Sequence, residues 1–69
     1  MTESLRSKYV EGLEILIGVY RDLAEDERIW EEHFGDDKMG AFHRGRRGVY
    51  QSTATILEGF LSRVKKGGE

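Results

Sequence analysis

Leu5, Tyr9, Leu13, Leu16, Tyr20, Leu23, Glu27, Trp30 and Phe34 follow one another in steps of three or four residues without a break. A helix turning 100° per residue puts such positions on one stripe; a strand, with its period of two, does not. None of the 69 residues is proline, so nothing stops a helix with a locked φ and a missing N–H. The spacing predicts a helix over about 3–34, roughly 45 Å long. Thr2 or Ser4 is placed to cap its start and Gly35 to end it in the left-handed conformation. Asp26 offers an alternative, as the cap of a short third helix near 26–34.

The second half carries two heptad patterns at once. Met39, His43, Arg46, Tyr50, Thr53, Leu57, Phe60 and Val64 form a packing stripe, while Ala41, Gly45, Gly48, Ser52, Thr55, Gly59 and Ser62 form an opposite stripe with no large side chain. Gly35-Asp36-Asp37-Lys38 reads as the turn, and either aspartate suits the N-cap of a second helix. That helix is expected over about 39–66, with a weak start at 39–48, because Gly40, Gly45 and Gly48 each cost about 1 kcal/mol relative to alanine. Lys65 and Lys66 supply a basic last turn. Folding the segments antiparallel about Asp36 brings Leu13 to Phe60, Leu16 to Leu57 and Leu23 to Tyr50. Glu27, the one charged residue of the first stripe, then meets Arg46, the one charged residue of the second, as a structural ion pair that fixes the register. The fold class is therefore all-α, an antiparallel helical hairpin forming a single domain over residues 1–69.

A chain this short buries only about 60% of its unfolded surface. With no cysteine, neither a disulfide nor a thiolate metal site can staple it, which leaves self-association. The first helix has apolar residues to spare: Val10, Ile17 and Ala24 flank its stripe on one side, and Gly12, Ile15 and Val19 on the other. These last three, with Gly48, Ser52, Thr55 and Gly59 of the small stripe, are the expected interface of a homodimeric four-helix bundle. Charge supports close pairing of the halves. Residues 1–37 hold four bases and eleven acids, a balance of −7, and residues 38–69 hold seven bases and two acids, a balance of +5. No run reaches the ~18 apolar residues of a membrane span and the N-terminus lacks a basic then apolar signal, so a cytoplasmic protein without a membrane partner is expected.

Chemistry is sparse. His33 and His43 belong to no metal-ligand spacing, no cysteine nucleophile or glycine-rich phosphate loop occurs, and no cofactor is expected. Arg28-Ile-Trp-Glu-Glu-His33 resembles the Arg-x4-His motif of HEPN-type ribonucleases, which implies a phosphate-polarising Arg28 and a proton-moving His33 in a domain that would need two copies of this chain. The densest polar grouping is His43-Arg44-Gly45-Arg46-Arg47. With Trp30, Tyr50 or Phe42 to stack on a base, it could hold a nucleotide or another phosphate-bearing ligand. Against that stands neutralisation, with Arg46 paired to Glu27 and Arg44 and Arg47 either solvated or paired to Glu31 and Glu32. The leading expectation is a non-enzymatic interaction or inhibitor module with itself and another protein as partners, similar in size and style to accessory proteins of phages and mobile elements. An anion-binding bundle that sequesters a signalling nucleotide is the alternative.

Overall fold

The computed structural model describes the backbone of residues 3–67 and the side chains of residues 5–66. Two helices account for nearly all of it, α1 (Glu3–Phe34) and α2 (Lys38–Gly67), joined by a three-residue turn. α1 runs unbroken through 26–34, so no third helix forms. Asp26 does not cap one, because no proline or glycine interrupts the apolar spacing there. α2 is likewise continuous from Lys38, and the expected weakness over 39–48 produces no loop. Thr2 and the side chain of Ser4 lie outside the described residues.

The turn is built by its own residues. Gly35 has φ +66°, the left-handed region that an L side chain rarely adopts, and its N–H donates to the Glu31 carbonyl at 2.9 Å. Asp37 caps α2, its Oδ1 accepting from the N–H groups of Met39 and Gly40 at 2.9 and 3.0 Å. Gly40 is buried; a Cβ there would stand 2.0 Å from the Gly35 carbonyl oxygen. The glycine that weakens α2 by propensity is thus what lets the chain reverse so tightly. At the open end of the hairpin Arg6 Nη2 donates to the carbonyls of Val64 and Lys65 at 2.8 and 2.9 Å, tying the last turn of α2 to the first turns of α1.

Between the helices the packing stripe is Val10, Leu13, Ile17, Tyr20, Ala24, Glu27, Glu31 and Phe34 on α1, and Gly40, His43, Arg47, Tyr50, Ala54, Leu57, Leu61 and Val64 on α2, all buried or half-buried. Half of the expected positions are replaced by the next residue along. Ala24 stands in for Leu23 and Ala54 for Thr53, and Leu61 takes the place of Phe60. The register shifts accordingly, with Tyr20 against Tyr50 at a ring separation of 6.2 Å. The reason is size. Ala54 is fully buried and Ala24 is 5% exposed, and a small residue in the seam of each helix lets the two axes approach closely. Leucine, tryptophan and phenylalanine at those positions would hold them apart.

That rotation gives the hairpin two unlike faces. One residue before each packing position lie Tyr9, Gly12, Leu16, Val19, Leu23, Asp26, Trp30 and His33 on α1, and Met39, Phe42, Arg46, Val49, Thr53, Ile56, Phe60 and Arg63 on α2. A one-residue offset turns antiparallel helices in opposite senses, so both sets emerge on the same side. One residue after each packing position lie Glu11, Glu14, Gly18, Arg21, Glu25, Arg28 and Glu32, then Arg44, Gly48, Gln51, Thr55, Glu58, Ser62 and Lys65. The molecule, 51 by 14 by 11 Å, is a ribbon with one apolar face and one polar face. No described helix is long and apolar enough to cross a membrane.

Candidate functional site

Two parts of this ribbon carry functional possibilities, the apolar face and a charged cluster near the turn. The cluster forms where Glu27 and Glu31, one helical turn apart on α1, look across at the basic run of α2. Glu27, 7% exposed, forms an ion pair with Arg46, Oε1 standing 2.9 Å from Nε, and pairs with His43 Nδ1 through Oε2. Glu31 accepts from Arg44 Nε at 2.9 Å, and its second oxygen lies 3.0 Å from Arg47 Nη1, at an angle that makes an ion pair without a hydrogen bond. The Glu27–Arg46 pair is present as the sequence suggests. Arg44 and Arg47 converge on Glu31 alone, because Glu32 points to the polar face and pairs with Arg28.

Aromatic rings complete the cluster. His43 stacks near-parallel on Phe34 and Trp30, with centroids 5.7 and 5.9 Å away, and Phe42 meets its edge at 5.2 Å. Arg46 lies over the rings of Phe42 and Tyr50 and donates from Nη2 to the Tyr50 hydroxyl at 2.9 Å. That hydrogen bond, and next the Glu27 carboxylate, raises the Arg46 pKa above its usual value. The candidate ligand residues Trp30, His43, Arg44, Arg46, Arg47 and Tyr50 are therefore brought together, but each cationic one already faces a carboxylate. Arg28 and His33 do not converge. Five residues apart, they stand about 140° apart around the helix; Arg28 is held by Glu25 and Glu32, and His33 contacts Trp30 and Phe34. Among the described residues no group of histidine and acidic side chains is arranged to hold a metal ion.

On the apolar face, Tyr9, Leu16, Val19, Trp30, Met39, Phe42, Val49, Ile56 and Phe60 are all exposed, Val49 and Ile56 by more than 60%. Two shallow grooves cut it, one at Phe42, Gly45 and Val49 near the turn and one at Tyr9, Gly12 and Leu16 near the open end. The anticipated interface residues divide. Gly12 and Val19 belong to this face and Ile15 borders it, whereas Gly48, Ser52, Thr55 and Gly59 lie on the side of α2 turned away from it. Gly48 and Gly59 have nothing within 4 Å of where a Cβ would stand. The sequence pattern assigns Leu16, Trp30, Met39 and Phe60 to packing inside the hairpin, names Phe42 only as a ring that could stack on a base, and does not single out Val49 or Ile56. The signal that separates the two stripes is an alanine in each seam, Ala24 on α1 and Ala54 on α2. Comparison with protein-family models, curated proteins and solved structures finds no significant match.

Proposed function

We propose that this chain is a non-enzymatic protein-interaction module that completes its own core by pairing with a second copy into a four-helix bundle. One observation carries the reading: only Leu13, Ala24 and Ala54 are buried apolar residues among those described, while nine large apolar side chains share one exposed face. A contiguous apolar face on so small a protein marks an interaction surface, and each large side chain left in water forgoes about 1.5 to 3 kcal/mol of burial. The face is polar at its rims, at Asp26, Arg46 and Thr53, and at its two ends, at His33 and Arg63, and is otherwise apolar or glycine, as in the core of a helical bundle. The polar face and the small-residue side of α2 then remain for a different protein, in the manner of an inhibitor or accessory factor. Sedimentation equilibrium across a hundredfold range of concentration tests the proposal. A dimer that dissociates on dilution with loss of helicity is expected, and a helical monomer at every concentration refutes it.

The second reading, an anion- or nucleotide-binding bundle, is favoured by the stacked rings of Trp30, Phe34 and His43 beside Arg44, Arg46 and Arg47. It is opposed by Glu27 and Glu31, which a phosphate would have to displace. A thermal-shift panel of nucleotides discriminates: no ligand is expected to raise the melting temperature, and a shift abolished by Arg44→Glu with Arg47→Glu would reverse the ranking.

A further inference from the structure

We infer that the second copy seats on the apolar face with both turns at the same end, so that α1 of each hairpin lies along α2 of its partner. This rests on the self-association proposed above and adds its geometry. Two ribbons can be stacked face to face with twofold symmetry in two ways. An axis parallel to the helices keeps the turns together and sets α1 against the partner's α2. An axis across the helices puts the turns at opposite ends and sets α1 on α1 and α2 on α2.

Charge separates the two. With −7 on residues 1–37 and +5 on residues 38–69, the crosswise axis runs like-charged helices side by side, whereas the parallel axis alternates sign around all four. Within one hairpin, residues whose numbers sum to about 70 to 73 share a height, as Tyr20 does with Tyr50 and Glu27 with Arg46. A parallel axis preserves height, so Asp26, the one acid on the apolar face, comes opposite the partner's Arg46.

The relief of the face fits the same arrangement. Trp30 projects at the turn end of α1 and Phe60 at the open end of α2, both exposed. At preserved height Trp30 meets the partner's groove at Phe42 and Gly45, and Phe60 meets the partner's groove at Gly12, where no atom lies within 4 Å of a Cβ position. With the turns apart, Trp30 would instead fall near Ser7 and Lys8 of another α1.

The absence of cysteine makes a single spin label at Asp36→Cys, in the exposed turn, a clean probe of the full chain. Dipolar spectroscopy of the dimer is expected to give one distance of about 20 to 30 Å, two to three helix diameters. A distance near the 51 Å length of the hairpin overturns the arrangement while leaving self-association intact; a monomeric mass without dipolar coupling overturns both. The face is checked separately. Gly12→Leu, which meets open space within the hairpin, is expected to weaken dimerisation about tenfold or more by crowding the Phe60 site, with partial recovery when Phe60→Ala is added. Gly59→Leu is expected to leave the dimer unchanged. A dimer indifferent to Gly12→Leu and broken by Gly59→Leu places the second copy elsewhere and overturns the inference.

Discussion

Gly40 and Gly48 lie eight residues apart on α2, and a methyl group added to each has opposite consequences. At Gly40 it would meet the Gly35 carbonyl oxygen at 2.0 Å, backbone that cannot yield without reopening the turn, so Gly40→Ala should destabilise by about 1 to 3 kcal/mol. At Gly48, on the side turned away from the apolar face, it meets nothing within 4 Å, and Gly48→Ala should gain up to about 1 kcal/mol from helix propensity. Urea midpoints at one fixed protein concentration check both. Glu27 is the other residue of consequence, since it satisfies Arg46 and His43 together. Glu27→Gln keeps the volume and removes the charge; it should cost about 1 to 3 kcal/mol, read in the same denaturation experiment. On the polar face, the Arg28 guanidinium hydrogen-bonded to Glu25 holds that carboxyl below its ordinary 4.5. A depressed carboxyl stabilises the fold above its unfolded value, and the contribution disappears as pH falls through the folded value. Exposure makes this effect small, but an NMR titration of Glu25 should show the lowered midpoint and its return toward 4.5 in Arg28→Gln.

The two helices owe their ends to different devices. α1 stops because Gly35 enters the left-handed region, and α2 starts because Asp37 accepts two otherwise orphaned N–H groups. Asp37→Ala should cost about 1 kcal/mol and raise amide exchange over Met39 to Ala41 without touching the middle of either helix. The glycines of 39–48 make that segment the weakest by propensity, yet it is helical because Glu27 and Glu31 grip His43, Arg44, Arg46 and Arg47 across the hairpin. The ion pairs hold in place a stretch that glycine content alone would leave frayed.

At the scale of the whole molecule, a hairpin with three buried apolar residues among those described has little core of its own, and under the self-association proposed above the second copy supplies the rest. Its melting temperature should therefore rise with protein concentration, as for any fold stabilised by association. Ile56→Asp, which puts a charge at the centre of the exposed face and touches nothing inside the hairpin stripe, should abolish that dependence and leave a largely unfolded chain by circular dichroism. The polar face supports no comparable dependence, since its crossed pairs, Arg21 with Glu58 and Lys65 with Glu14, are about half exposed and exposed pairs contribute little.

The helical character, the position of the turn, the antiparallel pairing and the opposition of Glu27 to Arg46 are all legible in the residues, because each comes from local spacing, capping chemistry or a lone charge in an apolar stripe. What spacing cannot decide is rotation. On an apolar arc broad enough for two partners, Leu16 and Ile17, or Leu23 and Ala24, are equally good candidates for the inner seam, and choosing the first of each pair hides the exposed face within the expected core. Only the tertiary structure selects the second. The distance between two helix axes depends on the side chains of both at once, and Ala24 and Ala54, each buried at its own level of the seam, permit an approach that larger residues there would prevent.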